Sequence, residues 1–199
     1  MANTAVDGRT FRDEDWYGED LTGRVYRGCT FRDVDLTESR AHGVVFESCT
    51  FEGSRFNAAI LDAAALVGCD LRRTTFFGAS LRGCKLAGSI FVDCTLRPLT
   101  VDGGQWRGLM ARGADLSRLD LSGVVLAEAD LADSDLHGCV LAGCDLARAV
   151  LRGADLREAD LRGATLHGAD LRDARLGGTR MDLAGAVALA EQHGVIVEG

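Results

Sequence analysis

The sequence predicts a solenoid, a fold built by stacking one short unit, and three observations carry that prediction. Leucine stands at every fifth residue from Leu116 to Leu176, thirteen times in succession. The same frame runs back to Phe11 and on to Met181, and all 35 of its positions are apolar. From Cys29 onward, the residue two before each of these central positions is almost always small or apolar, as at Cys29, Val34, Ser39, Cys49, Ala59, Ala64 and Cys84. A period of five is neither the 3.6 of a helix nor the 2 of a half-buried strand. It is a repeat, in which each unit meets only its neighbours.

The unit A-D-L-x-x resembles that of the pentapeptide repeat family over almost the whole chain. The resemblance implies an all-β solenoid, a right-handed quadrilateral β-helix with one pentapeptide per side and twenty residues per coil. Spacing alone leaves the number of sides open. Aromatic residues of the central column make four pairs twenty residues apart and five pairs fifteen apart. With four sides, Phe11 to Met181 makes almost nine coils, a rod about 40 Å long at about 4.8 Å per neighbouring strand.

Residues 1–10 are polar and lack the pattern, so they read as a lead-in. In the first coil, Arg9, Glu14 and Glu19 stand where small residues belong, which predicts an imperfect coil serving as a cap. The repeat proper spans 11–181. Two side chains in every five point inward, the large one filling the axis and the small one sitting near a corner. Aromatic residues fill the axis mainly in the first half, leucine alone in the second. Glycine recurs two residues after the central position, where a tight corner needs it. Pro98, the chain's one proline, removes a backbone donor. With Leu99 and Leu109 oversized and Gly104 lacking a side chain, it predicts an irregularity over 97–112. After Met181 the pattern changes. Asp182 caps a short C-terminal helix with an apolar stripe of Leu183, Ala186, Val187 and Ala190. Gly194 stops it, and Val195, Ile196 and Val197 read as a short strand. The segment 182–199 is thus a cap for the tube or a dimerisation element.

Composition and motif exclude much chemistry. The net charge of −8 argues against direct nucleic-acid binding. All seven cysteines lie two residues before a central position and read as wall-filling thiols rather than disulfides. No apolar run approaches membrane length, the N-terminus has no apolar signal core, and a reduced cytoplasmic location follows. His42, His137, His167 and His193 form no metal cluster, and no phosphate loop or G-x-S-x-G is present. The carboxylates recur with the repeat, as a solvated face does. The chain therefore reads as a non-enzyme without a cofactor.

Charge is more informative. Asp precedes the central residue at Asp115, Asp120, Asp130, Asp135, Asp145, Asp155, Asp160 and Asp170. With twenty residues per coil, Asp115, Asp135 and Asp155 form one ladder, and Asp120 and Asp160 lie on the next face. One reading has these side chains satisfy backbone donors at the corners. The other is a rod with evenly spaced negative charge, like the outline and field of a DNA duplex. Three segments beyond the repeat consensus, 11–15, 88–100 and 182–199, are similar to the mycobacterial fluoroquinolone-resistance branch of the family. That resemblance implies a dimeric DNA mimic that binds DNA gyrase through the acidic surface, inhibits it and protects it from fluoroquinolones. The dimer would form through 182–197. The arginines of 148–175 dilute the acidic ladders. A scaffold or protein-interaction module without an antibiotic role remains the alternative.

Overall fold

The computed structural model describes residues 5–192 and 194–197. The chain climbs as a right-handed quadrilateral β-solenoid and ends in a short helix. Every pairing is parallel and joins residues twenty apart, as in Tyr26↔Phe46, Phe31↔Phe51, Leu61↔Leu81 and Asp115↔Asp135. That register fixes four sides. Face 1 carries Val6, Tyr26 and Phe46, face 2 Phe11, Phe31 and Phe51, face 3 Trp16, Leu36 and Phe56, and face 4 Leu21, Ala41 and Leu61.

The aromatic pairs show why twenty and not fifteen is the structural period. Phe11–Phe31, Phe31–Phe51, Tyr26–Phe46 and Phe56–Phe76 stack at 4.6–5.2 Å with interplanar angles of 1–13°. Phe11–Tyr26 and Phe31–Phe46, fifteen apart, meet edge to face at 82° and 86°. Both geometries are favourable, and a square cross-section promotes each, although Phe76–Phe91, also fifteen apart, is tilted at 43°. In the second half the corners close as turns, with Cys139 N–H donating to Leu136 C=O at 3.0 Å and Ala159 N–H to Leu156 C=O at 3.0 Å. One residue per side is left to bridge the coils.

The second inward column has a reason beyond space. The Cys139 thiol reaches the Leu116 carbonyl at 2.7 Å, the Cys144 thiol reaches that of Leu121 at 2.9 Å, and the Ser89 hydroxyl reaches that of Leu66 at 2.7 Å. A small side chain with a weak donor thus fills the corner and bonds to the coil below. All seven cysteines are free, and all but Cys94 are fully buried.

The tube starts earlier than the lead-in reading of 1–10. Val6–Asp7 pair with Tyr26–Arg27, and Thr10–Arg12 pair with Thr30–Arg32. Val6 is apolar and in register five residues before Phe11, so the ladder accepts it; residues 1–4 lie outside the described part. The charged residues of the first coil pair with one another around its open end. Arg9 pairs with Glu14 at 3.8 Å, Arg24 with Glu19 at 3.6 Å, and Trp16 Nε1 donates to Glu14 at 2.9 Å.

Around Pro98 the tube opens as a wedge. The Arg97–Pro98 peptide is cis. Gly104 takes φ 140°, and a Cβ there would stand 2.7 Å from the Cys84 carbonyl. Faces 1 and 2 stay closed across this level, with Trp106 N–H donating to Val125 C=O at 2.8 Å and Ala111 N–H to Asp130 C=O at 2.9 Å. On faces 3 and 4, among the described residues, no backbone bond joins 94–98 to 115 or 99–102 to 120. The break therefore extends past the expected 97–112. Leu119 is a third oversized residue of the inner column that the sequence reading did not single out.

The helix α1, Leu183–Gln192, sits on the last coil. Asp182 caps it, accepting the Gly185 N–H through Oδ1 at 2.9 Å, while its Oδ2 accepts the Gly163 N–H at 2.9 Å. Gln192 Oε1 accepts the Leu171 N–H at 3.0 Å. Those two oxygens stand in for carbonyls of a coil that does not exist. The expected strand at Val195, Ile196 and Val197 is absent. These residues are exposed and take part in no strand pairing among the described residues. Gly194 ends the helix with φ 78°.

Candidate protein-binding surface

The eight predicted aspartates do not share a face. Asp115, Asp135 and Asp155 form one column on face 3, followed by Arg175. Asp120 and Asp160 lie on face 4 with Val140 between them, and Asp130 and Asp170 lie on face 2 with Val150 between them. Asp145 stands on face 1 between Val125 and Thr165.

Each Oδ1 accepts the backbone N–H two residues on, at Ser117, Ser122, Ala132, His137, Ala147, Arg157, Arg162 and Arg172, over 2.9–3.2 Å. The reading of corner donors satisfied by side chains thus holds at all eight. It does not remove the charge; it fixes its position. The other oxygen decides how much field escapes. Arg162 binds Asp160 at 2.6 Å, Arg172 and Arg152 bind Asp170 at 2.7 and 3.1 Å, and Arg157 chelates Asp155. Hydrogen bonds from Arg157 and Arg162 hold the Asp155 and Asp160 carboxyls down at about 2. Arg172 drives Asp170 lower still. Asp115 is desolvated, but hydrogen bonds from Ser117 and Arg97 outweigh that and lower its pKa. Ser122 lowers that of Asp120. Among the described residues Asp120, Asp130, Asp135 and Asp145 have no cationic partner.

The first coils carry a second acidic region. Glu14, Asp15, Asp35 and Glu38 lie on face 3, and Glu19 and Asp20 on face 4, whereas Arg9, Arg12, Arg24, Arg27 and Arg32 lie on faces 1 and 2. The division is partial, since Asp7, Asp13 and Asp33 also lie on faces 1 and 2 and Arg40 lies on face 4. Acids outnumber bases on faces 3 and 4 over the whole rod.

At the C-terminus the expected stripe is divided, with Leu183 and Ala186 turned outward and Val187 and Ala190 partly covered. Gly185 is the buried residue of α1, and Ala188 and Leu189 pack on the core. Leu183 is 82% exposed, Ala186 is exposed, and Val187 and Ala190 are half-buried. Ile196 is 86% exposed beside Val195 and Val197. No group of His, Cys, Asp or Glu among the described residues is arranged to hold a metal, and no helix is long and apolar enough to cross a membrane. His193 lies outside the described residues.

Three comparisons bear on this geometry. The model of the family of pentapeptide repeats matches eight copies, over residues 54–93, 111–143 and 139–178. The fold is similar to that of a trypsin-treated variant of QnrB1, a plasmid-mediated fluoroquinolone resistance protein, at TM-score 0.61 and 23% identity over 100% of both chains. Full-length QnrB1 matches at TM-score 0.50 and 21% identity, over 96% of this chain and 100% of its own. No curated protein matches the chain significantly. With more than half of its length matched by the repeat model, and with every described strand pairing parallel and twenty residues apart, the chain belongs to the pentapeptide repeat family.

Proposed function

We propose that this protein is a non-catalytic DNA mimic that binds DNA gyrase, inhibits it and protects it from fluoroquinolones. The observation that carries the reading is the density of fixed carboxylates. Asp115 to Asp170 supply eight in under three coils, about 13 Å of rod at about 4.8 Å per coil. That is about one carboxylate per 1.7 Å, the interval of charge along a DNA duplex; arginines pair with Asp115, Asp155, Asp160 and Asp170, so the unpaired carboxylates are half as dense. The Asp115, Asp135 and Asp155 column is its straightest part. The likeness to QnrB1 is one of fold at this identity, and supports the reading through the family. A cytoplasmic location fits such a target and the seven free thiols.

The exposed Leu183 and Ala186 of α1, with Val195–Val197, fit a homodimer joined at the C-terminal ends, in which each tail would meet its copy around a two-fold axis. A second reading, an interaction scaffold without an antibiotic role, is favoured by the arginines paired with Asp155, Asp160 and Asp170, which lower the net field of the upper coils. The test is gyrase supercoiling with and without the protein, in the presence of a quinolone. Inhibition of supercoiling together with fewer quinolone-induced DNA breaks supports mimicry. Supercoiling and breakage both unchanged leave the scaffold.

A further inference from the structure

We propose that the wedge on faces 3 and 4 is a docking slot for an extended segment of a partner protein, which enters as an added strand. The proposal goes beyond the gyrase reading and holds for any protein partner. Between the other described coils on these faces the bridging backbone groups are paired: Asp135 N–H donates to Ala114 C=O and Leu116 N–H to Asp135 C=O, both at 2.9 Å. Val140 does the same on face 4 with Leu119 and Leu121, at 2.9 and 2.8 Å. At the wedge the equivalent groups are idle. Among the described residues the N–H groups of Leu96, Asp115 and Asp120 and the carbonyls of Cys94, Asp115 and Asp120 have no backbone partner. Unpaired edges of this kind are templates for a further strand.

The cleft between these edges sets the sequence of its occupant. Leu99 and Leu119, 9% and 5% exposed, form an apolar floor, and Asp115 and Asp120 stand at the rim. Arg97 spans the gap to Asp115 at 3.1 Å, whereas Asp120 has no cationic partner among the described residues. Successive side chains of a strand point to opposite sides. An occupant that alternates an apolar residue toward Leu99 and Leu119 with a basic one toward Asp120 therefore fits. Phe77, 57% exposed and one coil below Arg97 at the same corner, extends the apolar contact beyond the cleft.

The test uses the intact protein and two labelled, end-capped octapeptides, (Val-Lys)4 and (Pro-Lys)4, read by fluorescence anisotropy. They carry equal charge, but alternate residues of the second lack the N–H a ladder needs. The first should bind at least about tenfold more tightly, the loss expected when one or two backbone hydrogen bonds fail. Asp120→Arg should weaken it by a similar factor; Asp120 bonds only within its own corner, so the coil should stay folded, as a thermal melt will show. Hydrogen exchange provides a readout without mutation, because the amides of Leu96, Asp115 and Asp120 should slow on peptide binding. Equal affinity of the two peptides, binding of neither, or binding without protection at those amides overturns the slot. Any of these leaves the gyrase reading standing, and a failed supercoiling test leaves the slot standing.

Discussion

At the scale of the residue, each position of the pentapeptide answers to one physical demand. Leu136 is fully buried in the axis of a narrow tube. Leu136→Ala should lower stability by about 2–5 kcal/mol, measured by denaturant melting, because the coils above and below hinder collapse of the cavity. Leu136→Asp should abolish the folded state, since a lone carboxylate there has no partner. The thiols supply a pH test. Burial pushes Cys139 up to about 12 and Cys84 and Cys144 up to about 11, above their ordinary value of 9.0. In the unfolded chain they lose protons first, so their contribution is complete below pH about 9 and falls as pH rises toward 11–12. The melting temperature should drop over that window, and Cys→Ala at the three sites should flatten the drop. The position of the thiols was legible in the sequence. Their bond to the carbonyl 23 residues back was not, because it depends on which coil lies beneath.

At the scale of the element, the two ends and the wedge depart from the repeat. Asp182 and Gly194 marked the helix limits in the sequence because capping is local chemistry. The face that covers the tube was not legible, for Leu183 to Ala190 is apolar all round and periodicity cannot choose between two apolar sides. Gly185 settles it, since a Cβ there would meet Met181 Cβ at 3.3 Å and Leu166 Cδ1 at 3.5 Å. Gly185→Leu should lift the helix and lower the melting temperature. Leu183→Lys with Ile196→Lys, both at exposed sites, should leave the melt of the tube itself unchanged and convert a dimer to monomers. Sedimentation of both forms reads this, and a parent protein that sediments as a monomer at micromolar concentration would remove the dimer. Pro98, Leu99 and Gly104 announced an irregularity. Its spread to Asp115 and Asp120 could be seen only once the coil below them was known.

At the scale of the whole molecule, the five-residue period was plain from Phe11 to Met181, while the number of sides needed three-dimensional register. The same register redistributes the charge. It spreads the eight aspartates over four faces, and it places Asp15 and Asp35 on face 3 with Asp115, Asp135 and Asp155, separated from them by Arg55, Thr75, Thr95 and the wedge. Arg55 pairs with Asp35 at 2.8 Å and quiets that lower end. If face 3 stands for DNA, changing Asp115, Asp135 and Asp155 together to Asn removes charge and keeps the Oδ1 that each corner uses. Inhibition of gyrase should weaken at least about tenfold, for three contacts of about 0.5–1 kcal/mol each. The same change at Asp15, Asp35 and Asp62 should have a smaller effect. The most direct measurement is supercoiling inhibition by the parent protein and the first triple variant across a salt series, with duplex DNA as competitor. Inhibition should fade as salt rises, be relieved by duplex DNA, and be weaker in the variant. No inhibition at any salt, or inhibition indifferent to salt, to duplex and to the three substitutions, would contradict mimicry of DNA.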